Sequence, residues 1–351
     1  MLSTDHMAIT HSLSLSEALT EPANPLVTVI ATCYNHSAFV IESLDSIRQQ
    51  TYSPIQLIIT DDHSTDDSDA LITEWINRHH VFCTYLRHRT NMGICRTLND
   101  ALAVARGKYV ALLATDDVWV SDKLEHQVGL MERLPEKVGV LYSDALQIDE
   151  AGTLLPQRFI EAHVAGPPAE GDIFPRLVER NFVPAMATLV RRSCYDAVGR
   201  YDERLCFEDW DMWLRIAQRY HFAFSPAVSA KRRIVSNSMT NTVLQSESRE
   251  MLKTYFRLTA KLIKSDRLSL AQTSLIAQRL VWFAERMYQR AYRGRTRYIF
   301  RAFFADRRAQ TLLMGLCSAL GMSYPRFGNV RNRMDSIKRR IDGRARDSHA
   351  L

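Results

Sequence analysis

Between residues 26 and 150 the chain alternates short β-branched runs with stretches of helical period, and few folds accommodate that alternation. A strand, a crossover helix and a second strand build a mostly parallel sheet, because parallel neighbours need a connection long enough to return to the same end. The first strand is "LVTVIATCY" (26–34), and the helix after it covers 37–50 with Ile41, Leu44 and Ile47 on one face. "IQLIITDD" is the second strand, and "STDDSDALITEWI" opens a second helix with Ser64 and Asp67 spaced as a capping box. "CTYLRH", "KYVALLAT" and "VGVLYSDALQID" supply further strands. "RTLNDALAVA" forms another helix, and one capped at Ser121 turns Leu124, Val128 and Met131 inward. The alternation stops at 151–184, an irregular segment that includes Pro156, Gly166, Pro167, Pro168 and Gly171. From about 241 onward the spacing is helical with almost no strand signal.

Two of these strands end in adjacent acids, Asp61-Asp62 and, in "VALLATDDVW", Asp116-Asp117. Ligands of an open parallel sheet bind outside the carboxyl ends of its strands, so pairs more than fifty residues apart can converge there. Two close carboxylates repel each other unless a cation, a proton or a hydrogen-bond donor intervenes. A hard divalent ion, Mn²⁺ or Mg²⁺, answers that need and leaves coordination positions for water and phosphate. The plain alternative is that such pairs are helix caps or turn residues. A third acidic group, in "LCFEDWDMWLRIA", places Glu208, Asp209 and Asp211 at the start of an amphipathic helix. Ordinary helix-start chemistry is its plain alternative.

Composition limits the remaining classes. The 351 residues, 46% hydrophobic and 24% charged, suit one large or two small globular domains. The first 24 residues lack a basic start and a continuous apolar core, so they read as a loose leader and not a secretion signal. Six scattered cysteines without a CxxC pair point to a reducing, cytoplasmic setting. "AQTLLMGLCSALGMSYP" is too short and too polar to span a bilayer. From Arg286 to Arg346 sixteen Lys or Arg face three acids, an excess of thirteen positive charges. That excess reads as a solvated helical surface, a contact with anionic membrane lipid, or, least supported, a nucleic-acid patch without an accompanying motif.

"VTVIATCYNHSAFVIESLDSIRQQTY", "IITDDHSTDDS", "NMGICRTLNDALAVARGKYVALLATDDVWVSDKL" and "VRRSCYDAVGRYDERLCFEDWDMWLR" follow one another in an order that resembles the inverting family 2 glycosyltransferases of the GT-A fold. The resemblance covers roughly residues 26 to 240. It implies an α/β GT-A domain over 25–240, with a nucleotide-binding half (25–150) and an acceptor-side half (151–240), followed by a basic helical region over 241–351. It further implies that Thr32, Tyr34 and Asp62 line the nucleotide pocket, with looser contacts from Asn91 and Arg96. Asp117 takes the metal-ligand position and Asp116 the ribose or metal position, while Asp209, with Glu208 beside it, takes the general-base position. Many relatives carry another Asp at the place of Ala114, and Arg-x-His where this chain has Arg233 followed by Val235. His163 and His221 read as ordinary satisfied histidines.

The implied activity is transfer of a sugar from a nucleoside-diphosphate donor, with a UDP-sugar favoured, to a glycan or lipid-linked glycan in bacterial surface or extracellular polysaccharide synthesis. The setting expected is cytoplasmic, peripheral to the inner membrane. One alternative is a catalytically silent GT-A-like scaffold, against which the retention of Asp62, Asp116, Asp117 and Asp209 argues. Another is a nucleotidyltransferase, which would offer a Gly-rich basic loop where this chain has "ATCYNHS".

Overall fold

The structure is a computed structural model that describes residues 24–236 and 248–332. The leader and the basic residues Lys338, Arg339, Arg340 and Arg346 lie outside the described residues. Strand β1 (Val27–Cys33) is buried along its whole length and has parallel partners on both sides, β2 (Ile55–Asp61) and β4 (Tyr109–Ala114). Its lack of polar alternation follows from that place, since both faces of an interior parallel strand are covered. β3 (Cys83–Arg87) pairs in parallel with the outer side of β2.

Beyond β4 the sheet becomes mixed. β7 (Thr188–Arg191) runs antiparallel between β4 and β6 (Val138–Ile148), and β8 (His221–Arg233) lies parallel to β6. The two-residue β5 (Val118–Trp119) pairs antiparallel with β8, which completes the order β3-β2-β1-β4-β7-β6-β8-β5. The expectation of a mostly parallel sheet therefore holds for the half built from βαβ units, and gives way where β7 enters antiparallel to both its neighbours.

Helices α1 (Val40–Arg48), α2 (Ser68–His79), α3 (Ile94–Val104) and α4 (Lys123–Met131) occupy the predicted segments. Leu124, Val128 and Met131 are buried as their spacing predicts. The helix starts differ. The capping box at Ser64 does not form, because the Ser64 hydroxyl and N–H are both spent on the Asp61 carboxylate in the turn after β2. Helix α2 begins only at Ser68, whose N–H donates to Asp66 at 3.0 Å, and α4 begins at Lys123, past Ser121. The irregular 151–184 segment contains two short helices, α5 (Phe159–His163) and α6 (Phe174–Glu179). A seven-residue α7 (Arg192–Val198) and then α8 (Asp209–Ala217) follow. At Gly107, just before β4, a Cβ would lie 2.4 Å from the Thr28 backbone nitrogen, so only glycine permits this approach to β1.

The C-terminal region consists of α9 (Arg249–Leu262), α10 (Leu270–Gln289), α11 (Arg295–Asp306) and α12 (Ala309–Ala319). It is no detached appendage. Met251, Leu258 and Leu262 of α9 and Ile276 of α10 join the main core, while Leu252, Phe256, Leu280 and Tyr288 pack with α11 and α12 in a second cluster. Polar links reinforce the join. Lys261 donates to Asp211 of α8 at 2.9 Å, and Arg279 donates to the Val178 and Glu179 carbonyls, each at 2.7 Å.

Lys123 is 1% exposed, donates to Gln127 Oε1 at 2.7 Å and to the Thr188 carbonyl at 3.0 Å, and lies 4.4 Å from the Trp119 ring centroid. Burial pushes its pKa down to about 7. An unfolded lysine titrates near 10.4, so above pH ~7 the unfolded chain binds the extra proton and stability rises with pH. Melting curves from about pH 7 to about pH 8.5, below the main titration of unfolded thiols, should show the wild type gaining stability relative to Lys123→Met. Parallel profiles would show that Lys123 stays charged in the fold.

Candidate active site

The ends of β2 and β4 meet across the end of β1. The Asp62 N–H donates to the Cys33 carbonyl at 3.0 Å, and the Thr115 N–H to the Thr32 carbonyl at 2.9 Å. Asp62 and the pair Asp116-Asp117 thus flank one strand terminus, as the parallel register requires. They open into a cleft of about 1200 Å³ that Thr32, Tyr34 and Asn91 also line.

The members of the two acid pairs are not equivalent. Asp61 is consumed by Ser64 in its own turn. Asp62 is buried, and its carboxylate accepts the Met92 N–H at 2.7 Å and the Gly93 N–H at 2.8 Å, with His88 Nδ1 2.7 Å away. Gly93 holds a φ of +83°, a conformation that glycine adopts without strain. Asp62 therefore shapes the 91–93 turn as well as facing the cleft. Arg96 does not line the cleft; it is exposed, and its guanidinium is engaged by Asp100 at 3.0 Å and Glu203 at 3.5 Å.

Asp117 is 4% exposed, and its Oδ1 accepts the Arg233 N–H at 2.8 Å. Burial, reinforced by the neighbouring Asp116 charge, drives its carboxyl pKa well above the ordinary value; the Arg233 N–H and the charges of Arg232 and Arg233 oppose that rise. Asp116 stays closer to solvent, 3.9 Å from His36 Nε2, while His36 Nδ1 pairs with Thr115 Oγ1 at 3.0 Å. Trp119 turns away from the cleft, and its indole N–H donates to the Met186 carbonyl at 2.8 Å.

From the other side α8 brings its first residues to the same cleft. Asp209 accepts the Asn181 side-chain N–H at 2.7 Å and the Trp210 N–H at 2.6 Å. Burial raises the pKa of both Glu208 and Asp209, and for Glu208 the adjacent Asp209 charge adds to the effect. Asp211 points elsewhere, into a buried pairing with Arg215 and Lys261 at 2.9 Å each.

Sequence reading missed several lining residues. His36 sits in a strand-end turn, and Asn181 lies in the Pro/Gly-rich segment with no motif around it. Tyr255 and Phe283 reach the cleft from α9 and α10, where helical spacing marks them only as core. Val235, at the place where many relatives have His, lines the cleft as well.

Residues 28–198 match the family model described as Glycosyl transferase family 2. Over those residues, just under half of the chain, the sequence is similar to that family. The matched span stops short of Glu208 and Asp209. An uncharacterized glycosyltransferase of Rickettsia prowazekii is 28% identical over 222 residues, which is 63% of this chain and 68% of that protein. One of Rickettsia typhi is 25% identical over 273 residues, 77% of this chain and 83% of that protein. Other relatives are much longer: the alignment spans 35% of a Rickettsia felis glycosyltransferase, at 27% identity over 60% of this chain. Among solved structures, residues 1–349 of S. aureus TarS in complex with UDP-GlcNAc give a TM-score of 0.59 at 14% identity, covering 85% of this chain and 93% of that one. Mannosyltransferase PcManGT from Pyrobaculum calidifontis, in complex with GDP-Man and Mn²⁺, gives 0.52 at 17% identity, covering 90% and 80%. At such identities the likeness establishes the fold, which is GT-A with a helical C-terminal region.

The turn chemistry at Asp62 is open to direct measurement. Asp62→Ala leaves the Met92 and Gly93 N–H groups without their acceptor, and because both bonds are only part-buried, water replaces part of what is lost. Denaturant unfolding should therefore show a loss of about 1–2 kcal/mol. A loss under ~0.5 kcal/mol, the size of an ordinary surface change, would mean that the turn holds without Asp62.

Proposed function

We propose that this glycosyltransferase moves a sugar from a nucleoside-diphosphate donor to a hydroxyl acceptor with inversion at the anomeric carbon, and that Asp209 is the general base. One observation carries the reading: the Asp116-Asp117 pair and the Glu208-Asp209 pair, from opposite halves of the sheet, line a single cleft. Inverting displacement needs that division, with a base beside the incoming hydroxyl and charge stabilisation beside the leaving diphosphate. Thr32, Tyr34, Asn91 and the turn built by Asp62 form the nucleotide side. A UDP-sugar is the first donor to test and a GDP-sugar the second, because the structural neighbours are in complex with UDP-GlcNAc and with GDP-Man.

The donor set fits a divalent cation, Mn²⁺ or Mg²⁺. Asp117 and Asp116 would hold it; among the described residues no cluster of three His, Cys, Asp or Glu forms a cage. Two carboxylates suit an ion whose other positions are filled by phosphate and water. Bound there, such an ion supplies charge that stabilises the departing diphosphate.

The protein's own groups account for the acceptor step. The Asn181 and Trp210 N–H groups fix the Asp209 carboxylate. Its raised pKa makes it a stronger base than an exposed aspartate, so it takes the hydroxyl proton as the acceptor oxygen attacks. The acceptor we favour is a glycan or lipid-linked glycan of a bacterial surface or extracellular polysaccharide. Arg286 of α10 and Arg295, Arg297 and Arg301 of α11 would meet an anionic membrane surface. No described helix is long and apolar enough to cross a membrane.

Two substitutions test the division of labour. Isothermal titration with UDP and GDP, with and without Mn²⁺, should show metal-dependent binding that weakens in Asp117→Ala; equal affinities with metal present would remove Asp117 as a ligand. Asp209→Asn keeps the size and the helix-start chemistry, so UDP affinity and melting temperature should hold while transfer falls about 10²- to 10⁴-fold. Near-normal transfer by Asp209→Asn would exclude it as the base.

A further inference from the structure

Four arginines line the cleft: Arg180, Arg232, Arg233 and Arg279. Three have oxygen partners. Arg233 is 4% exposed; it donates to the Asp116 carbonyl at 3.0 Å and to the Asp149 and Glu150 carbonyls at 3.2 Å, and it pairs with Glu42. Arg180 donates to the His163 carbonyl, and Arg279 to the Val178 and Glu179 carbonyls. The Arg232 guanidinium has no oxygen partner among the described residues. It lies 5.3 Å from the Phe159 ring centroid, and Phe159 stacks on His163 with centroids 4.1 Å apart.

Strand geometry explains how this cation reaches the site. Lys231 pairs with Val118 across β5 and β8, so Arg232 follows the point where β8 meets the segment carrying Asp116 and Asp117. Side chains alternate along a strand, which sends Arg233 beneath the sheet surface and leaves Arg232 half-buried at the cleft. Its charge is felt by Asp117 on one side and by Asp209 on the other.

We propose that Arg232 is a catalytic residue, its guanidinium binding the donor diphosphate as the sugar–phosphate bond breaks. The inference rests on the nucleoside-diphosphate-sugar reading given above. In the transfer the acceptor oxygen forms its bond to the anomeric carbon and its proton passes to Asp209. The electron pair of the breaking carbon–oxygen bond stays with the diphosphate. Arg232 remains protonated throughout and neutralises that growing charge. A planar guanidinium with uncommitted N–H groups matches phosphate oxygens bidentately. Stacking on Phe159 holds it in place beforehand, so little reorganisation is needed at the moment of reaction.

Titration of wild type, Arg232→Gln and Arg232→Lys with UDP, and with uridine as the phosphate-free control, tests the assignment in Mn²⁺ buffer; GDP and guanosine form a second pair. Arg232→Gln should bind UDP about ten- to a hundred-fold more weakly, the loss of one or two charged hydrogen bonds, while uridine binding is unchanged. Arg232→Lys, which keeps the charge and loses the fork, should fall between the two. If Arg232→Gln melts well below wild type, Arg232→Lys decides alone: UDP binding weakened with uridine unchanged supports the role. UDP affinity within twofold of wild type in the folded variant, or equal losses for UDP and uridine, overturns the assignment and leaves the donor reading standing. Failure of the wild type to bind either diphosphate overturns both.

Discussion

The buried hydrogen bond from the Arg233 N–H to Asp117 ties the two halves of this enzyme together. Taking a carboxylate out of water costs several kcal/mol even after relaxation. One hydrogen bond to a charged acceptor returns about 1.5–3 kcal/mol. The neutral amide alone therefore does not offset the burial of Asp117, and its raised pKa is the sign of that deficit. In the proposed reaction a cation delivered with the donor would make up that difference. The same bond fixes β8 against the β4–β5 segment and so determines where Arg232 emerges.

The half of the fold made of βαβ units was legible because its signals are local. β1, β2 and β4 appear as apolar runs, and Asp62, Asp116 and Asp117 mark where β2 and β4 end. What sequence could not show was how each acid spends its oxygens. Asp61 and Asp62 look alike in the chain, yet one closes a serine turn and the other organises the 91–93 loop. Arg96 fits a family position but sits one helical turn from Asp100, and that pair outcompetes a reach into the cleft. Arg232 and Asn181 carried no motif, because their function comes from long-range pairing and not from spacing.

Polar anchors explain why the C-terminal helices belong to the site. Asp211 is two residues beyond Asp209 on α8 and is held by Lys261 of α9, which also pairs with Asp202. Asp202 is shifted below the usual carboxylate range, first by Arg204 and then by Lys261. The helix that carries the proposed base is thereby clamped from a region some fifty residues later by Lys261, a residue that does not itself line the cleft.

The clamp has a chemical consequence beyond stability. Tyr255 of α9 packs against Phe207 at 5.3 Å, Trp210 at 6.2 Å and Phe283 of α10 at 5.4 Å, which places an aromatic wall around Glu208 and Asp209. These rings are part of the burial that raises the pKa of both carboxyls by destabilising the charged form. In isolation that is a cost to the fold. For the proposed base it is an advantage, since a carboxylate reluctant to remain charged accepts a hydroxyl proton more readily as attack begins. Burial thus raises Asp117 on one side of the cleft and Glu208 and Asp209 on the other; in the proposed reaction a cation would relieve the first and a proton the second.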